Sequence, residues 1–253
     1  CRMPEAVSRP IYIEPDTATV VETAVGPLVV TARGDAIVGV AAPGESVAKA
    51  KALLAPRLDL DPATGVLRVA AAQLVAYGEG RLEGFELPLA LPDSPLRPFW
   101  DACLRVPYGW TTTYGDLAKD AGHAGEARTA GTAMATNPIA VVIPCHRVVD
   151  SQGALHGYGG GLAHKRILLN LEGAPRRKES LPEWLARRHP ASERPLIGVR
   201  STRIFCLPDC RGGSRLDFDG HVLTSFASVD DGKAAGYRAC KLCTPEAPQG
   251  ALL

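Results

Sequence analysis

The sequence predicts an α/β chain in three parts: a small N-terminal α/β module over residues 1–91, a mainly helical unit over 95–173, and a small four-cysteine unit over 196–245. Three observations carry this reading. Short apolar runs alternate with Gly/Pro turns as far as the proline-rich stretch Leu91–Pro98. Two short segments of helical character joined by a glycine turn come next, and four of the seven cysteines then fall into two close pairs near the C-terminus.

In the first module, Thr19–Ala24, Leu28–Ala32 and Ala36–Val40 read as strands, with Val25-Gly26-Pro27 and Arg33-Gly34-Asp35 as the turns between them. Ser46–Leu54 and Ala63–Tyr77 have helical character, the second started by Asp61-Pro62. No chemistry is apparent in this module. Beyond the prolines, Phe99–Val106 reads as a helix that buries Cys103 as a structural thiol. Thr113 caps the next helix, with Asp116 completing a capping-box-like pair, and Gly122 ends it. A second helix, Glu126–Thr136, follows Gly125 and is stopped by Asn137-Pro138. Together the two spell a helix-turn-helix. The apolar run Ile139–Ile143 reads as a buried strand opening onto Pro144-Cys145-His146-Arg147, and a glycine-rich loop leads to a helix ending in Glu172. Residues 174–195 are charged and proline-bearing and read as an interdomain linker with a short helix at Leu181–Leu185, before a strand at Leu196–Val199.

Composition narrows the function classes. Net charge is +1, so any nucleic-acid binding must depend on local groups rather than on a global field. No apolar stretch approaches the ~20 residues that cross a bilayer, so no membrane partner is expected. The first residues lack the apolar block of a secretion signal, and the chain opens on Cys1 rather than Met, as expected where the natural N-terminus is missing. Without a secretion signal, clustered cysteines favour metal binding or catalysis over disulfides.

A thiol behind a run of β-formers is inert unless something stabilises its thiolate, because burial raises its pKa above the usual ~8.5. His146 is the obvious candidate, directly or through water, with Glu172 fixing the imidazole tautomer. Cys145 is thus a candidate nucleophile with its target still open.

Pro144-Cys145-His146-Arg147-Val148-Val149 resembles the signature of the O6-alkylguanine-DNA alkyltransferases, the methylated-DNA–protein-cysteine methyltransferases. The resemblance runs in order from Pro107-Tyr108-Gly109 through Tyr114, Arg128, Gly131, Asn137-Pro138 and Gly157-Tyr158 to Glu172-Gly173. It implies a ribonuclease-H-like N-terminal module and a double-stranded DNA partner carrying alkylated bases. The target nucleotide would be flipped from the stack into a pocket, and its alkyl group passed once, irreversibly, to Cys145. The resemblance gives Tyr114 a role in rotating the nucleotide and donating to the base, and Arg128 that of filling the vacated space. Asn137 would tie the DNA-reading helix to the reactive segment, while Val148, Tyr158 and Gly159 line the pocket. Gly115, His123 and Ser151 join Tyr114 and Arg128 as expected DNA contacts, with Lys165, Arg166 and the basic linker assisting. O6-alkylguanine, with O4-alkylthymine, is the implied substrate, no organic cofactor is expected, and the implied setting is a cytoplasmic, nucleoid-associated monomer.

Cys206-x3-Cys210 and Cys240-x2-Cys243, separated by 29 residues, have the spacing of a closed four-thiolate zinc site. Their contexts, Gly198–Cys206 and Ala234–Cys243, resemble the zinc module of the Ada-type adaptive-response proteins. That resemblance implies one Zn2+ and gives Cys206 the place of a second methyl acceptor, for methylphosphotriesters, with a purely structural ribbon as the alternative. Three rivals to the transferase reading stay open: a zinc-containing protein that binds or senses alkylated DNA without turnover, a methylation-responsive regulator, and a thiol hydrolase using Cys145 and His146.

Overall fold

The computed structural model describes residues 13–42, 65–174, 183–184, 187, 196–199, 202–207, 210, 223–226 and 228–245. The helix expected over Ser46–Leu54 lies outside them, as does most of that expected over Leu181–Leu185.

Three β-rich segments form an antiparallel sheet in the order β1 (Thr17–Val21), β2 (Leu28–Arg33), β3 (Ala36–Ala41). Gly26 and Gly34 supply the left-handed turn conformations, φ 111° and 55°, that let the chain reverse twice. Helix α1 (Gly65–Gly78) packs on this sheet through Leu67, Ala70, Leu74 and Tyr77, a stripe at helical spacing. The chain then enters α2 (Arg97–Leu104), with Pro98 in its first turn, where a missing N–H costs nothing. Cys103 is fully buried there, and Trp100 Nε1 donates to Ala133 O at 2.8 Å.

The helix-turn-helix consists of α3 (Tyr114–Asp120) and α4 (Ala127–Ala135). Thr113 Oγ1 caps α3 by accepting from Asp116 N at 3.1 Å, and its hydroxyl donates to Asp116 Oδ2 at 2.7 Å. Gly122 and Gly125, both at positive φ, make the turn. Two-residue strands β4 (Thr112–Thr113) and β5 (Val148–Val149) pair in parallel and set the start of α3 beside the segment that carries Cys145.

Ile139–Ile143 is not the strand its composition suggested. Ile139 bridges Val40 and Ala140 bridges Ile143, while Val141 takes φ 73°, so the run folds back on itself. Ile139 and Ile143 are fully buried and Val141 and Val142 nearly so, which explains the apolar sequence without a strand. A positive φ at a β-branched residue is costly and must be held by its surroundings. Here Ile139 N donates to Asn137 Oδ1, Asn137 Nδ2 to Ile143 O, and Ile143 N to Ile139 O. The reversal ends in a 3-10 turn, Cys145–Arg147. Helix α5 (Gly161–Leu171) closes the unit, with Glu172 as its C-cap.

One hydrophobic core joins these parts: Leu28, Ile37, Tyr77, Trp100, Leu117, Ala130, Ile143 and Leu168 belong to the same buried cluster. The C-terminal segment has its own. Strands β6 (Leu196–Val199), β7 (Ile204–Cys206), β8 (Leu223–Phe226) and β9 (Arg238–Ala239) lie in the order β8-β6-β7-β9, with α6 (Val229–Ala234) beside them. Leu196, Phe205 and Tyr237 form its small centre. Gly232 faces the Phe205 ring so closely that a Cβ would sit 2.8 Å from it. No helix among the described residues is long and apolar enough to cross a membrane.

Candidate functional site

Cys145 is 6% exposed and His146, its neighbour in the 3-10 turn, is fully buried. His146 Nε2 lies 2.8 Å from Glu172 Oε1. Since an ionised carboxylate only accepts, Nε2 carries the proton and Nδ1 keeps its lone pair. No hydrogen bond joins the His146 imidazole directly to the Cys145 thiol, and Nδ1 has no protein partner among the described residues. Burial pushes the Cys145 thiol up, opposed by a hydrogen bond from Asn137 and by the charge of Lys165. Burial pushes His146 down, against the pull of Glu172. The resting pair is therefore a neutral thiol and a neutral imidazole poised as a base.

Glu172 is the hub. Arg147 grips it in a bidentate pair along one edge of its guanidinium, Nε to Oε2 and Nη2 to Oε1, each at 2.9 Å, and anchors Nη1 on Val106 O at 2.6 Å. Gly109 N donates to Oε2 at 3.2 Å and Tyr77 Oη to Oε1 at 2.5 Å. Although burial would raise it, His146 and Arg147 hold the carboxyl well below the usual range. Two of these partners were not read from the sequence. Arg147 stood in the quoted signature without a role, and Tyr77 lies in the module where no chemistry was apparent. Through Tyr77 that module reaches the carboxylate of the site.

Tyr114 opens α3 and is partly buried; burial, then Cys145 and Asp150, push its phenol up, so it stays protonated. Val148 is fully buried. Tyr158 packs against the same core, its hydroxyl without a protein partner among the described residues. Gly159 has open space where a Cβ would stand, whereas at Gly160 a Cβ would meet His164 Nδ1 at 2.8 Å and Ala42 at 3.0 Å. Of the glycines expected to let the main chain wrap the pocket, Gly160 is thus the crowded one and Gly159 an open one.

Arg128 projects exposed from α4, whose inner side is Ala130, Ala133 and Met134. A Cβ at Gly131 would meet nothing within 4 Å, so the outer surface stays low. Gly115 and Ser151 are exposed, and His123 sits 3.3 Å from Glu126 with its ring against Phe99. Lys165 corrects an expectation: it is fully buried, with Nζ donating to Val148 O at 2.7 Å and to His156 O at 3.3 Å. It cannot also reach a phosphate. Arg166 is exposed.

In the C-terminal unit, the sulfurs of Cys206, Cys210, Cys240 and Cys243 all lie within 4.8 Å of one another, and Cys210 and Cys240 are 3.9 Å apart. Four thiolates around a zinc at ~2.3 Å would stand about 3.8 Å apart, so the cluster fits a single tetrahedral Zn2+. Burial and neighbouring sulfurs push Cys206 and Cys243 up, so a cation is what holds all four ionised. Cys243 accepts from Leu207 N at 3.3 Å and Cys240 from Leu242 N at 3.4 Å. Between the two units, Trp184 is fully buried, its ring 4.6 Å from that of Trp110 and its Nε1 donating to Gly173 O at 2.9 Å.

A buried thiol beside an imidazole–carboxylate pair, set under a helix-turn-helix and followed by a four-thiol metal site, defines a cysteine-nucleophile protein with a metal-binding appendage. Residues 96–174 match the family model of the 6-O-methylguanine DNA methyltransferase DNA-binding domain, and residues 182–246 match that of the metal-binding domain of Ada. A methylated-DNA–protein-cysteine methyltransferase of Mycobacterium leprae is 45% identical over 112 residues, covering 44% of this chain and 68% of that one. One from Methanosarcina acetivorans is 44% identical over 108 residues, 42% of this chain and 69% of the relative. The crystal structure of Mycobacterium tuberculosis OGT in complex with DNA aligns with a TM-score of 0.55 and 34% identity, over 64% of this chain and 96% of that one. The chain belongs to the methylated-DNA–protein-cysteine methyltransferase family.

Proposed function

We propose that the protein repairs alkylated double-stranded DNA by moving the alkyl group of O6-alkylguanine, and of O4-alkylthymine, to Cys145, once per molecule. The observation that carries this is the buried Cys145 beside a His146 whose outer nitrogen is bound to an ionised Glu172 and whose inner nitrogen is free to take a proton. The thiol proton passes to Nδ1 through one water, within the reach general-base catalysis allows. The sulfur attacks the alkyl carbon, the carbon–oxygen bond breaks, and the electron pair leaves with the base. Tyr114 donates a hydrogen bond to the departing guanine, and the proton taken from the thiol ends on the base. A thioether is a poor leaving group, so the protein is consumed.

The base cannot be reached inside the stack. The low outer surface of α4 suits close approach to a groove, with Arg128 filling the vacated space and Gly115, His123 and Ser151 as further contacts. Val148, Tyr158 and Gly159 line the pocket. The relative solved with DNA supports the same partner here. The N-terminal module fits a ribonuclease-H-like unit, supported by its three antiparallel strands and packed helix. The reacting groups come from one chain, which supports a monomer, and the substrate points to the nucleoid in the cytoplasm. We assign repair to 1–91 with 95–173, a connecting role to 174–195 and metal binding to 196–245.

Cys206, Cys210, Cys240 and Cys243 would hold the Zn2+, which keeps their sulfurs as thiolates at neutral pH. Cys206 is the second acceptor, for the methyl of a phosphotriester. Among the described residues the N–H donors at 3.3–3.4 Å go to Cys243 and Cys240, leaving Cys206 and Cys210 the less neutralised sulfurs, and of these two Cys206 holds the acceptor's place in the Ada-type resemblance.

Intact-mass analysis after incubation with duplex DNA containing O6-methylguanine tests the first assignment. One added methyl mapping to Cys145, absent in Cys145→Ala, is expected. Lesion binding without any mass change would leave a zinc-containing sensor of alkylated DNA. DNA carrying methylphosphotriesters tests the second: a methyl on Cys206 is expected, and its appearance on Cys243, the more exposed sulfur, would overturn the assignment.

A further inference from the structure

Tyr77 lies 95 residues from Glu172 in sequence, yet its hydroxyl donates to Glu172 Oε1 at 2.5 Å and stands 3.5 Å from His146 Nε2. Both partners are fully buried, as is Tyr77. The ring is fixed independently of the hydroxyl, by Phe85 at 5.2 Å and Tyr108 edge-on at 6.1 Å. The hydroxyl is therefore aimed rather than accidental, and it comes from the N-terminal module, outside the residues 96–174 matched by the DNA-binding-domain family model.

Resting on the transferase reading above, we propose that Tyr77 is a positioning residue that sets the basicity of His146 by competing with it for Glu172 Oε1. Oε1 receives three donors: Tyr77 Oη, His146 Nε2 and Arg147 Nη2. A carboxylate oxygen has two favourable lone-pair directions, so each added donor draws density from the others. Burial pushes the Tyr77 phenol well up, so it remains a donor across the working pH range. Its bond weakens the hold of Glu172 on the imidazole proton, which favours a neutral His146 able to take the thiol proton.

The other charged groups facing this centre are accounted for. Arg147 and Lys165 disfavour the imidazolium, and His146 in turn disfavours charge on His164. Tyr108 stacks on Arg147, Tyr158 faces Cys145 and Glu172, and Cys103 faces Cys145. None of these groups shares Oε1 except Arg147, which is already bound through both nitrogens.

Tyr77→Phe keeps the ring and removes the donor. The test is the pH dependence of Cys145 alkylation by iodoacetamide from pH 5 to 9, followed by intact mass, alongside single-turnover transfer from O6-methylguanine duplex. In Tyr77→Phe the acid limb of both profiles should move upward by roughly half a pH unit, since the freed carboxylate now holds the imidazolium more tightly. The shift should vanish when the change is made in a Glu172→Gln background, because the coupling runs through that carboxylate. A profile identical to the natural protein's, or a shift that persists in Glu172→Gln, would overturn the inference. Failure of methyl transfer by the unaltered protein would instead count against the transferase reading, and the iodoacetamide arm would still report on Tyr77.

Discussion

At the residue scale, the chemistry rests on keeping two buried groups in unusual states. Glu172 is ionised although fully buried, and His146 is neutral beside it. Removing one partner from such a network costs far more than the pair is worth, because a charge is left buried alone. Glu172→Gln would strand Arg147 and should lower stability by about 3–5 kcal/mol, read from denaturant unfolding. The pH dependence follows from the same shifts. The folded pKa of His146 lies below its ordinary 6.5 and that of Glu172 below 4.5, so the unfolded chain binds more protons in acid. Stability should be full above about pH 7 and fall as pH drops through 6.5 and again through 4.5. Melting temperatures from pH 8 to 4 check this, and His146→Asn should flatten the upper part of the fall. Cys145, His146 and Glu172 were legible because their order along the chain carries a signature. Tyr77 was not, since a bond across 95 residues leaves no local spacing to read. Lys165 misled for a related reason: a lysine looks like a phosphate contact until the fold buries it.

At the scale of elements, caps and glycines were readable and the reactive segment was not. Thr113, Asp116, Gly122 and Gly125 delimit the two short helices because capping and left-handed turns demand particular residues. Ile139–Ile143 shows the limit of periodicity: a short buried apolar run looks alike as a strand or a folded-back turn. Only Asn137, bonding at both ends of the reversal, distinguishes them. The residue at Trp184 belongs to the segment matched by the metal-binding family, yet it packs on Trp110 and Gly173 of the preceding unit. Arg187 adds a bond to Ala174 O at 3.1 Å. Gly109, next to Trp110, in turn donates to Glu172, so the anchor backs the carboxylate. Trp184→Ala should cost about 3–5 kcal/mol of local stability, the range for deleting a large buried side chain. Tryptophan emission should shift to the red as Trp110 gains water, with bound zinc unchanged.

At the scale of the whole molecule, the two ends of the chain are stabilised by different means. The first two parts share one continuous core from Leu28 to Leu168. The C-terminal unit has only Leu196, Phe205 and Tyr237 at its centre, with Phe226 and Leu207 packed around them. A core that small supplies little stability without a metal or another staple, and its four thiols supply the staple. Burial and the neighbouring sulfurs oppose ionisation of Cys206 and Cys243, so folding and zinc loading are one equilibrium there. The repair unit contains no ligand to that metal. A strong chelator should therefore unfold the C-terminal unit, seen as loss of its amide protection around Phe205 and Cys240, while the melting transition of the remainder persists. Methylation of Cys145 by O6-methylguanine duplex should proceed in the chelated protein, whereas methylation of Cys206 should stop. If chelation also abolished transfer to Cys145, the Trp184 anchor would be transmitting the state of the metal site to Glu172, and Trp184→Ala should then restore transfer in the zinc-free protein.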